Sequence, residues 1–179
     1  MLAGDQDFGA FGTDLKLDFV PAAVLMPVVR RPEPGLLLTT RISTLRNHAG
    51  QVAFPGGRVD EVDDGPVAAA LREAQEEIGL RPDQVEVLGL GDRYQTGTGY
   101  AVDPVVGLID PGLQFVPNPF EVADLFEVPL AFALNPANHH IREAAWQGKL
   151  RRYYAIEWDG RLIWGATAGM LVNLTARLA

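Results

Sequence analysis

Residues 57–80, GRVDEVDDGPVAAALREAQEEIGL, decide how the rest of the chain is read. At 3.6 residues per turn Glu73, Glu76 and Glu77 share one helix face. Val67, Ala70, Leu71, Ala74 and Ile78 take the opposite one, the stripe of a helix lying on a core. Pro66 suits a first turn, where its missing N–H is not needed, and Gly79 suits a left-handed cap. The pattern predicts a helix over 66–78. Three carboxylates on one face oppose that helix by about 0.2–0.5 kcal/mol per like-charged pair. One account of them is a solvated acidic face with Arg72 paired to Glu76. The other takes in the upstream loop FPGGRVDEVDD: a strand, a double glycine and a helix with clustered carboxylates make an oxygen-only pocket suited to Mg²⁺ or Mn²⁺.

The composition sets the frame. At 179 residues, 47% hydrophobic and 21% charged, the chain has the make-up of one ordinary globular domain. The sequence predicts a loosely ordered arm over 1–18 and a single domain over 19–179. No cysteine is present, which removes disulfides, thiolate metal sites and cysteine nucleophiles. The first residues, MLAGDQDFGAFGTD, have neither a basic start nor an apolar core, so no signal peptide is expected. The apolar run Val20 to Val29 is short and broken by prolines, which argues against a membrane span. A cytoplasmic protein is the expectation. The net charge of −8 argues against non-specific nucleic-acid binding. A phosphate substrate would then need metal ions and a local basic cluster. Arg30, Arg31, Arg41, Arg46 and Arg58 supply such a cluster against the single acid Glu33 between them.

Along the chain, residues 19–29 read as a strand near a sheet edge, given Pro21 and Pro27. With the turn RRPEPG and a strand at 36–40 they make a hairpin. A short strand at 51–54 enters the double glycine. After the helix, 85–92 alternates as a half-buried strand and 100–109 as another. A strand at 126–130 leads into a short helix at 131–134. His139 and His140 are adjacent, which suits paired ligation on neither a strand nor a helix face. Residues 152–158 and 161–164 form a hairpin across Asp159-Gly160. A closing helix over 166–178 turns Met170, Leu171, Leu174 and Leu178 inward. Strands, helix, strands and helix together suggest a mixed sheet covered by helices on both faces.

The segment Arg72-Glu73-Ala74-Gln75-Glu76-Glu77-Ile78-Gly79-Leu80 resembles the second half of the Nudix hydrolase box, G-x5-E-x7-R-E-U-x-E-E-x-G-U with U aliphatic. The first half departs from it. Asp64 has the right spacing to Arg72 but stands where the family has glutamate, while Asp63 has the right spacing to Gly57 only. Which aspartate takes the glutamate's role stays open. The resemblance implies an α/β fold, the Nudix α/β/α sandwich with its mixed sheet between helices. It also implies hydrolysis of a nucleoside diphosphate derivative with Mg²⁺ or Mn²⁺ held by Glu73, Glu76 and Glu77. Arg72 would orient a box carboxylate. The family often recruits a further acid from outside the box as base or ligand, and Glu121 is the nearest match.

Upstream, LLTTRISTLRNHAGQVAFPGG at 37–57 resembles the signature of the coenzyme A pyrophosphatase branch, L-L-T-x-R-(S/A)-x3-R-x3-G-x3-F-P-G-G, with Ile42 as its one departure. FEVPLAFALNPANHH and RLIWGATAGML also look like this branch, so the resemblance covers nearly all of the chain after residue 19. It implies cleavage of coenzyme A to 3′,5′-ADP and 4′-phosphopantetheine. Arg41, Arg46, Gly56 and Gly57 would bind substrate, since guanidinium forks hold phosphate bidentately. Arg41 and Arg46 could equally support loop carbonyls or pair with the acidic loop at 60–64. A Nudix hydrolase for ADP-ribose, NADH or a nucleoside triphosphate is the alternative, and a non-catalytic ligand sensor is a third. The implied partner is a small nucleotide, with no nucleic acid and no membrane; a monomer and a homodimer are both open.

Overall fold

The computed structural model describes residues 19–43, 50–146 and 149–179. Arg46 and the 1–18 arm lie outside them. The main sheet holds eight strands: β1 (Val20–Val29), β2 (Gly35–Arg41), β3 (Val52–Ala53), β4 (Gly56–Arg58), β5 (Val85–Leu90), β6 (Tyr94–Gln95), β7 (Tyr100–Ile109) and β8 (Val122–Pro129). The long path runs β3-β2-β1-β7-β5, with β4 on β1, β6 on β7 and β8 on β2. β1 and β7 are parallel from Val20↔Tyr100 to Val29↔Ile109, while the neighbouring pairings are antiparallel, so the sheet is mixed.

β1 is therefore central, not near an edge as its prolines suggested. The N–H groups of Val20 and Arg30 reach toward β7, to Gly99 and Ile109, and that of Leu25 reaches the other way, to Pro55. Odd positions thus point away from β7. On that side β4 pairs with residues 22–24 and β2 only with 28 and 29. Pro21 and Pro27 put their missing donors at the end of one ladder and in the gap between two.

The sheet separates two cores. On one face α1 (Gly65–Ile78) lays Ala69, Ala70, Ala74 and Ile78 on Ala23, Leu25, Val29, Leu37, Val105 and Ile109. Alanines at the contact let the helix axis come close, and each fully buried Leu or Ile adds about 1.5–3 kcal/mol. Gly79 ends α1 at φ 71°, the left-handed cap its sequence predicts. On the other face α3 (Ala166–Leu178) and a three-stranded sheet pack Ile156, Ile163, Ala168 and Leu171 on Met26, Leu36, Leu38, Phe54 and Tyr94. That second sheet is β9 (His140–Trp146), β10 (Lys149–Trp158) and β11 (Arg161–Trp164). The architecture is the predicted mixed sheet between helical layers, with one layer carrying an extra sheet.

Several local expectations change. The sequence marks no element at β9, because HIREAAW mixes helix formers with a single β-branched residue; pairing with β10 overrides that preference. Residues 85–90 form a largely exposed strand rather than a half-buried one. Leu178 is exposed at the end of α3, while Met170 and Leu171 are buried as predicted. The turn at Asp159 and Gly160 has φ 48° and 71°, the backbone of a two-residue hairpin. A short helix, α2 (Leu130–Ala133), follows β8. Among the described residues no helix is long and apolar enough to cross a membrane.

Candidate active site

Alternation along β4 sets the geometry of the site. Gly57 faces α1 so closely that a Cβ there would stand inside contact distance of the Glu73 carboxylate. A Cβ on Gly56 would collide with the backbone of Ala23 and Val24. The double glycine thus lets β4 fit between β1 and the acidic turn of the helix.

The three helix carboxylates do not share one solvated surface. Glu77 is buried, with 3% of its side chain exposed, whereas Glu76 is 58% exposed. Burial pushes the Glu77 carboxyl up to about 7. Arg41 pulls it down, with Nη1 at 3.5 Å, as does the backbone of Gly56, while the charges of Glu121 and Glu73 push it up. Glu73 is half-buried and is likewise raised, first by burial, against the pull of Arg72. The loop after α1 closes over this end: the N–H of Asn118 donates to the carbonyl of Glu77, and that of Val116 to Ile78.

Arg72 joins the loop to the helix. Its Nε and Nη2 donate to both oxygens of Asp63 at 3.0 and 2.9 Å, and Nη1 donates to Glu73 at 2.9 Å. Nη2 also reaches the carbonyl of Arg58 at 3.0 Å, and Nη1 reaches Glu76 at 3.4 Å. The fork on Asp63 holds that carboxyl below its ordinary range. Asp64 is exposed at the helix N-terminus and makes no side-chain capping bond. The geometry therefore gives Asp63, not Asp64, the partnership with Arg72. Asp63→Asn should lower both the melting temperature and kcat, because Asn offers one acceptor oxygen to a two-pronged donor. Asp64→Asn should leave both near native. Thermal scans and initial rates on the two variants check this, and the opposite ranking would refute the assignment.

Glu121 stands at the start of β8. Its carboxylate accepts from Asn118 Nδ2 at 3.2 Å, its carbonyl accepts from the N–H of Ile42 at 3.0 Å, and its charge acts on both Glu73 and Glu77. Structure and sequence thus bring Glu73, Glu77, Glu121, Arg41, Gly56 and Gly57 to one place, with Glu76 at its exposed rim. The basic cluster does not gather as one patch. Arg30 pairs with Glu86, Arg31 with Glu127, and Arg41 with Glu77. Asn118 was not singled out from the sequence; its role comes from contacts across the fold that no local pattern carries. His139 rests against the carbonyl of Ala133 at 2.8 Å, away from the carboxylates.

Chemically, the donors suit a hard divalent cation. They are carboxylate oxygens, and the most buried of them is raised first by burial and then by the charges of Glu121 and Glu73, which one dication would offset. Among the described residues no three acidic or histidine side chains are drawn together at ligating spacing. Arg72 holds Glu73 and Asn118 holds Glu121, so the match is one of donor chemistry.

The chain is similar to known proteins along most of its length. The NUDIX domain model matches residues 20–147. The chain is 49% identical over 157 residues to the uncharacterized Nudix hydrolase NudL of Cronobacter sakazakii, covering 88% of this chain and 82% of that one. It is 47% identical over the same length, with the same coverage, to NudL of Escherichia coli K12. Among solved structures, a Nudix hydrolase from M. smegmatis, RenU, is similar at a TM-score of 0.53 and 27% identity, over 62% of this chain and 71% of that one. A C. elegans Ap4A hydrolase shares the fold at a TM-score of 0.54 and 19% identity, over 63% and 83%.

Proposed function

From the premise that the chain belongs to the Nudix family, hydrolases of phosphorus-containing anhydrides, we propose that it cleaves the diphosphate of coenzyme A or a derivative to 3′,5′-ADP and 4′-phosphopantetheine. The observation that carries this reading is the 37–57 segment. It resembles the coenzyme A signature in sequence, Arg41 within it pairs with Glu77, and Gly57 at its end leaves no room for a side chain against Glu73.

Glu73, Glu76 and Glu77 would hold Mg²⁺ or Mn²⁺, which when bound neutralises diphosphate oxygens and acidifies water. The remaining work falls to the chain. Arg72 orients Glu73 and locks the 60–63 loop on the helix. Arg41, beside Glu77, presents its guanidinium to the oxygens of the scissile diphosphate, and Arg46 belongs to the same binding role. Gly56 and Gly57 let β4 lie against β1 and against Glu73, which brings the strand backbone up to the carboxylate centre. Glu121, close to both buried glutamates, is the candidate to accept a proton from the attacking water. Burial around Glu77 excludes bulk water and strengthens each of these charges.

The test is hydrolysis of coenzyme A with Mg²⁺ and with Mn²⁺, products separated by chromatography, beside ADP-ribose, NADH and a nucleoside triphosphate. Coenzyme A should give the highest kcat/KM, with 3′,5′-ADP as product. Faster turnover of ADP-ribose or NADH would move the chain to the other Nudix substrate class, and no turnover of any of them would leave a ligand sensor.

A further inference from the structure

Among the described residues, the arginines near the carboxylates are neutralised, with one exception. Arg41 faces Glu77, and Arg72 faces Asp63, Glu73 and Glu76. Farther off, Arg93 is forked on Asp103 at 2.8 Å, and Arg30 and Arg31 have their own glutamates. Arg58, adjacent to Gly57, has no carboxylate within 4.0 Å among the described residues. Asp60 is near enough to be felt, not to pair. Arg58 Nη2 instead donates to the Tyr100 hydroxyl at 3.2 Å, and its guanidinium carbon lies 5.7 Å from the centre of that ring. In a protein of net charge −8 an exposed guanidinium braced by a phenol and left without an anion is poised to receive one.

Its position says which anion. Successive side chains on a strand point to opposite faces. Gly57 faces Glu73, so Arg58 projects from the other face of β4, while its carbonyl is tied to Arg72. A group held by Arg58 is one residue along β4 from Gly57 but on the face away from Glu73, so it does not compete for the carboxylates. The register sets Arg58 opposite Ala22 and Tyr100 opposite Val20. Val20 is exposed and Tyr100 half-buried, which leaves a small apolar shelf beside the cation. The turn that carries Tyr100 is fixed, since Thr96 Oγ1 accepts the Tyr100 N–H at 3.0 Å and the carbonyl of Thr96 accepts Gly99.

We propose that Arg58, braced by Tyr100, is the subsite for a phosphomonoester on the substrate's nucleoside, apart from the two phosphoryl groups joined by the hydrolysed anhydride. This rests on the coenzyme A reading, in which that group is the 3′-phosphate, and it assigns Arg41 to the diphosphate instead. Arg58→Ala should cut kcat/KM for coenzyme A about 10- to 100-fold, the range for one charge-assisted hydrogen bond, and for dephospho-coenzyme A less than about threefold. Arg58→Lys should fall between native and Ala, and Tyr100→Phe should lose part of the same preference. Arg41→Ala should penalise both substrates alike. Equal losses for the two substrates in Arg58→Ala, or no loss, overturn the subsite. Binding separates this from failure of the substrate reading: calorimetry should show that the native protein prefers adenosine 3′,5′-bisphosphate to AMP and that Arg58→Ala does not. If native protein fails to cleave coenzyme A yet shows that pattern, the subsite stands and the substrate changes. If native protein binds the two nucleotides equally, the subsite falls.

Discussion

Glu77→Gln is expected to lower turnover by at least about 10²-fold while raising the melting temperature of the metal-free protein above neutral pH. The loss of activity follows from its place as the most buried carboxylate of the centre, since even the supporting partners of metal ligands cost about 10–100-fold when removed. The stability effect has a definite sign. Glu77 is pushed from 4.5 to about 7 in the folded protein. Between those values the folded chain holds a proton that the unfolded chain has released, so stability falls as pH rises through that window. The full difference, on the order of 3 kcal/mol, is reached above pH 7. The glutamine side chain of the variant has no such proton to lose. In chelator the variant should melt near native at pH 4.5 and clearly above native at pH 8. Glu73 titrates in both proteins and does not create the difference by itself. Saturating Mg²⁺ should reverse the order at pH 8, because a ligand that binds only the folded state stabilises the protein with the intact site. Near-native turnover in Mg²⁺, or a melting difference that ignores pH, removes Glu77 from the centre.

That burial was the part of the site least visible in the sequence. The sequence reading put Glu77 on the face opposite Ala74 and Ile78, yet at 100° per residue it lies only about 60° round the helix from Ala74, on the flank of the apolar stripe. Periodicity cannot register that β4, stripped of side chains at Gly56 and Gly57, presses against the acidic side, or that Asn118 closes over its end. Local signals with local causes were legible: the α1 boundaries and the Gly79 cap, the Asp159-Gly160 hairpin and α3 from Ala166 to Leu178. Signals whose cause is a distant partner were not. Pro21 and Pro27 spoke for an edge until the gap between β4 and β2 explained them, and β9 owes its conformation to β10 rather than to its own residues. The choice between Asp63 and Asp64 has the same character. Spacing alone satisfied one end of the box with each, and only the fold shows that Arg72 forks on Asp63.

Glu121 enters the site on its position before β8, and its surroundings give that placement a physical test. Two backbone hydrogen bonds hold the residue, from its N–H to Asn118 and from Ile42 to its carbonyl, so the main chain stays in place when the carboxylate changes. The side chain has one described contact, from Asn118 Nδ2 at 3.2 Å, which a Gln oxygen can also accept. Glu121→Gln should therefore fold normally and lose chemistry alone. As the proton acceptor, its loss should lower kcat by about 10²–10⁴-fold with KM little changed, and added metal should not restore the rate. As a metal ligand, its loss should instead raise the Mg²⁺ concentration needed for half-maximal rate, with much of kcat recovered at saturation. Removing its charge also relieves Glu77, so the Glu77 carboxyl should titrate lower in the variant, readable as a smaller fall in chelated-protein stability between pH 4.5 and 8. That shift is expected in either role and checks that the two carboxylates face each other in solution. A fall of less than about threefold in kcat, at limiting and at saturating Mg²⁺, would make Glu121 a bystander. The proton acceptor would then lie within the box or on the 93–103 stretch, where Asp103 is already forked by Arg93.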